Sequence, residues 1–450
     1  MATSLCTGNL WFLPWLRCIG MAANARRLGL IRCVRSGWFR SALGLILLAD
    51  AHATSAESAP TVDWSFRCGS RIYSSAVVAD LSASPGLEIL TASSAERKLH
   101  CLSAAGKVLW TYGGFTLRMT STPTVADLDG DGKPEILIAT RAKGVICLAA
   151  DGALLWKWAV KGGIPWGSVT VADTDLDGDP EIYWISMAGR VERRSPDGGV
   201  GWAVQLPSGG SRGPLAIGDV DGDGRGEIVT GGSAAVHCFD SAGNERWRYQ
   251  GMASFEAGPV LADVNGDGRA EVLAASTDGV LYCLMGKSGD VFWNHRTFRG
   301  RIDTTLAVGD LTGNGIPEIV YGDFFGNLYC LDGNGEEHWS FRAGDWIESA
   351  PALGDVDGDG EAELVFGSAD GNVYCLSARG DLEWTFMTHK RISASPTLCD
   401  VDDDGAVEIL IGSHSGVLYC LSAGGPWDPA RVLWPSRRYD LAHTACLPAR

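Results

Sequence analysis

A stretch of ten residues recurs eight times along the 450-residue chain, and no other property constrains the fold as tightly. The fullest copy, DLDGDGKPEI, begins at Asp127. It returns as DTDLDGDPEI from Asp173, DVDGDGRGEI from Asp219, DVNGDGRAEV from Asp263, DLTGNGIPEI from Asp310, DVDGDGEAEL from Asp355 and DVDDDGAVEI from Asp400, with a worn copy, DLSASPGLEI, from Asp80. Successive starts lie 47, 46, 46, 44, 47, 45 and 45 residues apart. A unit of that length cannot bury a hydrophobic face alone, so the period predicts stacked repeats around a shared core.

Every unit reads the same way. A short apolar run such as STPTVAD ends at the first Asp, and Glu135 opens a second run, EILIAT. A third, GVICLA, alternates as a half-buried strand would. A glycine turn then leads to a fourth strand carrying Trp110, Trp156, Trp202, Trp247, Trp293, Trp339 or Trp384. Four short antiparallel strands per unit describe a β-propeller blade. The eighth tryptophan is missing after Cys420, where Pro429 stands, but VDWSFRCG around Trp64 matches EHWSFRAG around Trp339. The expected fold is therefore all-β: an eight-bladed β-propeller closed by the N-terminal strand, with seven blades as the alternative. Closure of this kind leaves no sheet edge unpaired.

Outside the repeats the chain changes character. Arg26, Arg27, Arg32, Arg35 and Arg40 precede the apolar run ALGLILLA, and the small-residue pattern AHA follows at 51–53. Residues 1–53 read as a secretory signal, with Met21 as a candidate true start. A retained membrane anchor is the alternative, for which the apolar run is short. Residues 54–60 read as a linker, 61–424 as the propeller and 425–450 as a C-terminal tail packing on it. The expected product is secreted, periplasmic or at the cell surface, with no membrane span after signal removal. Cleavage removes six arginines and one aspartate, taking the formal charge from −17 to −22. That acidity argues against nucleic acid, whose phosphates need clustered Lys and Arg, and favours divalent cations.

Cys101, Cys147, Cys238, Cys283, Cys330, Cys375 and Cys420 share one slot in the third strand, which Arg193 takes in the third unit. Adjacent blades would hold these thiols too far apart for disulfides, so they read as small core residues, as does Cys399. Cys68 and Cys446, near the two ends that must meet, form the one candidate disulfide of an exported chain.

In the recurring stretch, positions one, three and five turn side-chain oxygens toward one centre. Glycine at six permits the sharp turn, position seven offers a carbonyl, and the acid at nine closes the cage. Hard oxygen donors in that number suit calcium, by the logic of an EF-hand loop, better than magnesium, which keeps more of its water. The candidate ligands fall into six sets. The first two are Asp127, Asp129, Asp131, Lys133 and Glu135, then Asp173, Asp175, Asp177, Asp179 and Glu181. The next two are Asp219, Asp221, Asp223, Arg225 and Glu227, then Asp263, Asn265, Asp267, Arg269 and Glu271. The last are Asp355, Asp357, Asp359, Glu361 and Glu363, then Asp400, Asp402, Asp404, Ala406 and Glu408. Asp310, Thr312, Asn314 and Glu318 make a weaker seventh set, and Ser82 and Ser84 leave the first unit with no expected ion. Six or seven structural calcium ions are expected. The alternative is that these acids cap loop amides without metal.

The half-unit TVADLDGDGKPEI resembles the FG-GAP/VCBS repeats of integrin-type propellers, whose ninth position is commonly Asp where Glu stands here. The other half, GNVYCLSARGDLEW, is similar to the repeats of pyrroloquinoline-quinone-type eight-bladed propellers, in which tryptophans dock between blades. The resemblance spans Trp64 to about Gly424 and implies a fold rather than an activity.

Function is sought where the repeats differ. Seven residues before the first loop Asp, the units carry Tyr73, Thr120, Trp166, Arg212, Glu256, Asp303, Glu348 and Ser393. Two residues earlier come Arg71, Arg118, Arg301 and Arg391, with Trp346 in another unit. In a propeller these positions ring the mouth of the central channel, and their mix of charge and aromatics resembles a binding-site lining. A solvated rim of mutually paired charges is the alternative. The favoured function is a non-catalytic module binding a protein or carbohydrate ligand. An enzyme similar to the calcium-containing rhamnogalacturonan lyases comes second, with Arg212, Glu256, Asp303 and Glu348 as catalytic candidates. A quinone-dependent dehydrogenase comes last, because the vicinal cysteine pair of that family is absent.

Overall fold

A computed structural model describes residues 59–82, 85–140, 144–160, 167–207, 209–297, 300–437 and 440. The stretch read as a secretory signal, Trp166, Ser84 and Cys446 lie outside the described residues. The chain folds as an eight-bladed propeller, each blade a meander of four antiparallel strands, which excludes seven blades. The last blade is closed from the N-terminus: Thr61–Arg67 pairs with Val417–Pro426, setting Trp64 opposite Cys420. No helix among the described residues is long and apolar enough to cross a membrane.

The third strand is not half-buried. Val280–Leu284 is buried at every residue, and Gly144–Leu148 at all but its first. Both faces of a blade lie against neighbouring blades, so alternation shifts to the outermost strand, as in Glu337–Arg342. The cysteine slot follows from register. Cys101 pairs with Trp110, Cys283 with Trp293 and Cys375 with Trp384, so a small side chain sits beside each indole. These cysteines are buried free thiols. Cys68 is also free and buried, its Sγ donating to the Ser70 carbonyl at 3.5 Å.

The tryptophans join blade to blade. Trp293 Nε1 donates to the Gly333 carbonyl at 2.8 Å, and Trp339 Nε1 to that of Ala378 at 2.9 Å, each in the next unit. Six of the indoles, those of Trp64, Trp110, Trp202, Trp247, Trp293 and Trp339, also lie against a turn glycine of the next unit. At Gly335 (φ 83°) an added Cβ would stand 2.6 Å from the Trp293 ring. The second blade departs from this scheme, because Trp158 rather than Trp156 covers Gly198 and the two indoles stack at 3.6 Å. Gly335→Ala combines left-handed backbone strain with a clash, and is expected to cost about 2–4 kcal/mol in denaturant unfolding.

The C-terminal segment enters the central channel. Val432–Trp434 pairs antiparallel with Ala352–Gly354, the innermost strand of the seventh blade, giving that blade a fifth strand. Trp434 is fully buried there, and the Leu398 amide donates to the Pro435 carbonyl at 2.9 Å, tying the segment to the eighth blade. Glycine makes room for it: a Cβ at Gly309 would stand 2.7 Å from Leu433.

Candidate functional site

The acidic loops are built alike. In every blade the position-two amide donates to the ninth-position glutamate, for instance Leu128 to Glu135 Oε2 at 2.8 Å and Val356 to Glu363 Oε2 at 2.7 Å. The worn first loop keeps this bond, Leu81 to Glu88 at 2.8 Å, so one glutamate oxygen serves the backbone whether or not a cation is expected. The first aspartate is bidentate to the loop: Asp127 Oδ1 accepts from Gly130 and Oδ2 from Gly132 at 2.8 and 2.9 Å. Asp129 and Asp131 each accept from the amide two residues on. Glycines at φ 74° and 81° let the chain spiral around its own carboxylates.

The remaining oxygens converge. Ligand atoms of Asp127, Asp129 and Glu135 lie within 4.8 Å of one another, as do those of Asp173, Asp175, Asp177 and Glu181, of Asp219, Asp221 and Glu227, and of Asp355, Asp357 and Asp359. Asp175 Oδ1 is buried with no hydrogen-bond partner among the described residues, as an oxygen awaiting a cation would be. Burial, reinforced by the loop aspartates, pushes the carboxyls of Glu227, Glu271 and Glu408 up to about 7 and that of Glu363 to about 9. Hard, charged oxygens crowded in this way fit a calcium ion.

One slot sets these loops apart, and no reading of the loops alone reveals it. In four blades the residue before the outer-strand tryptophan faces its own blade's loop. Arg246 contacts Asp221 at 2.7 Å, and His338 lies 3.8 Å from Glu318. Glu383 instead adds a carboxylate to Asp357 and Glu363, and Asp63 is raised by burial and then by Asp402 and Asp404. Arg193, in the cysteine slot, contacts Glu181 and lies 2.6 Å from Asp175. The third and fourth loops thus carry a built-in positive charge and the eighth an extra negative one, while in the seventh Glu383 is offset by Arg431, which lies 2.7 Å from Asp355.

At the other end of the innermost strands, the unrepeated residues meet. Tyr73, Thr120, Arg212, Glu256, Asp303, Glu348 and Ser393 all line one cavity of about 360 Å³, together with Arg118, Phe324 and Arg437. Seven of the eight positions predicted to ring the mouth are thus brought together. Arg301 bonds Asp303 at 2.7 Å and Glu256 at 3.0 Å, and Arg212 reaches Glu256 at 3.2 Å. Arg391 contacts Glu348 and stacks over Trp346 at 5.2 Å, while Arg301 lies 5.7 Å over Phe324. Arg71 reaches the Tyr73 hydroxyl at 3.4 Å, and Tyr73 packs on His414 at 4.5 Å. Burial, with Arg391 and Arg71, lowers His414 to about 4, so it is neutral at pH 7. Asp303 is raised, burial outweighing Arg301. Sequence reasoning set a tail on the propeller but missed its course into the channel and the Arg437 it carries. Glycine ends the innermost strands at Gly309 and Gly354, which flank the tail, but also at Gly218, which does not pair with it, so the glycines alone do not announce the tail.

The FG-GAP-like repeat family matches residues 116–184 and 219–274, and the Lambda-carrageenase beta-propeller domain matches 258–308, 287–351 and 352–398. The chain is an eight-bladed propeller that contains FG-GAP-like repeats. Among solved structures, this propeller is similar to the V. cholerae biofilm matrix protein Bap1, at 14% identity over 87% of this chain and 97% of that one, TM-score 0.67. It is similar to BamB from Moraxella catarrhalis, at 16% identity over 81% and 98%, TM-score 0.58. A europium-containing methanol dehydrogenase aligns at 13% identity over 81% and 93%, TM-score 0.61. At such identities these likenesses carry the fold alone. No curated protein matches in sequence.

Proposed function

We propose that the chain is an exported binding module, stapled by calcium in its acidic loops, that takes a protein or glycan ligand at the channel mouth. The observation that carries this reading is the convergence of seven unrepeated positions on one cavity, at the opposite end of the innermost strands from the loops. Repetition marks what the fold needs, and the divergent residues gather where a ligand has access. A biofilm matrix protein among the similar structures, and a match to a propeller domain of carrageenases, are in keeping with an extracellular carbohydrate-rich setting. The loops spend their oxygens on their own amides and on a cation, which suits a structural ion.

Screening the calcium-loaded protein on glycan and protein arrays tests the reading. A captured ligand should bind at least tenfold more weakly to Trp346→Ala or Glu256→Gln at unchanged melting temperature. A ligand indifferent to both variants would place recognition elsewhere.

A lyase is the second reading, favoured by Asp303, a pocket carboxyl raised by burial beside arginines that could hold a uronate. Incubation with acidic polysaccharides would then yield ultraviolet-absorbing unsaturated ends, abolished by Asp303→Asn.

A further inference from the structure

The channel mouth is positively charged in a protein whose formal charge is −17. Arg71, Arg118, Arg212, Arg301, Arg391 and Arg437 approach it, against the carboxylates of Glu256, Asp303 and Glu348. All three carboxylates are already engaged: Glu256 by Arg212 and Arg301, Asp303 by Arg301, and Glu348 by Arg391. Among the described residues, neither Arg118 nor Arg437 forms an ion pair, yet both line the cavity.

The two arrive by separate routes. Arg118 comes from the connection between the first and second blades. Arg437 is delivered by the tail, three residues beyond the buried Trp434. Burial disfavours its charge and Glu348 supports it, but a guanidinium keeps its proton at neutral pH. A half-buried guanidinium whose nearest acid, Glu348, is already paired with Arg391 is costly, and an incoming anion offsets that cost. Its planar fork matches the paired oxygens of a carboxylate or a sulfate.

Charge alone would suit any small anion. The rest of the mouth is more particular. Phe324 and Trp346 pair at 5.0 Å with Trp346 41% exposed, and Tyr73, Thr120 and Ser393 add hydroxyls to the lining. Aromatic faces beside hydroxyl partners suit a flat-faced, polyhydroxylated ring. On the reading that the mouth is the ligand site, we propose that it recognises an anionic sugar unit of an acidic glycan, with Arg118 and Arg437 taking its carboxylate or sulfate group. The tail is then part of the binding site as well as of the core, and Arg437 is its specificity-determining residue.

Titration calorimetry of the calcium-loaded full chain with three probes tests this: an oligogalacturonate, a sulfated galacto-oligosaccharide and an uncharged galacto-oligosaccharide. At least one charged probe should bind ten times more tightly than the uncharged one, and the two charged arms separate carboxylate from sulfate. Arg118→Ala and Arg437→Ala should each weaken that binding about tenfold or more, with Arg437→Lys retaining part of it, at unchanged melting temperature and calcium content. Equal affinity for the uncharged probe, wild-type affinity in both alanine variants, or no binding of either charged probe would overturn the proposal. If an array ligand of another kind is meanwhile lost in Trp346→Ala, the mouth remains the binding site and only its anionic-sugar specificity fails.

Discussion

Stripping calcium with a chelator at pH 8 is expected to lower the melting temperature by about 10–20 °C. Each loop loaded at a hundredfold excess over its dissociation constant contributes about 2.7 kcal/mol. Six such loops, set against an unfolding entropy of about 2 cal/mol/K per residue, give a shift of that size. The effect has a definite pH dependence. Without metal, the carboxyls of Glu227, Glu271 and Glu408 sit near 7 and that of Glu363 near 9, all above the ordinary value. A raised carboxyl stabilises the fold below its unfolded pKa, and that contribution fades as pH rises through the folded value. The metal-free protein should therefore melt at a higher temperature at pH 5 than at pH 8. Calcium, which needs the ionised form, should reverse that order. Loading should also be graded. The eighth loop, with Asp63 close by, should fill before the third and fourth, which Arg193 and Arg246 partly neutralise. A melting curve indifferent to chelator at both pH values, with no metal found by elemental analysis, would sink the calcium reading.

The second large effect concerns the channel. Trp434→Ala removes the largest side chain of the inserted segment, which is fully buried against the innermost strands. The substitution should cost about 3–5 kcal/mol, or about 5 °C in melting temperature. A chain ending at Arg431 should lose at least as much, since Leu353 and Leu398 would also lose backbone partners. If the channel segment merely rests on the ring, both changes will leave the melt where it was, and denaturant unfolding will confirm it.

The blade pattern was legible because it is repeated. Eight copies of an Asp-rich loop at one spacing, with a tryptophan and a cysteine at fixed offsets, average away the ambiguity of any single copy. The closing strand was legible for the same reason, since Trp64 had seven internal relatives to be matched against. What appears once was harder. The strand Val432–Trp434 has no counterpart in any other unit, and a three-residue run carries too little periodicity to announce itself. Arg193 apart, the charges that tune the loops lie on the fourth strand, so their role emerges only when register brings Arg246 or Glu383 across to the loop. The third strand's alternation misled because hydrophobic spacing reports which faces are apolar, while burial here is imposed by the next blade.

Closure by the first strand has a consequence for how the molecule comes into being. Thr61 pairs with Ser422, so an early segment of the chain must wait for nearly the last repeat before the ring exists. Contacts of such sequence separation form late, after much chain entropy has been lost. Until then the growing assembly shows two unpaired blade edges, which invite pairing with other chains. If the ions are met only outside the cell, blades that emerge early can be pinned one by one while the ring is still open. Assembly would then run from local hairpins to a single late seam, and conditions that slow the seam should favour aggregates over monomer.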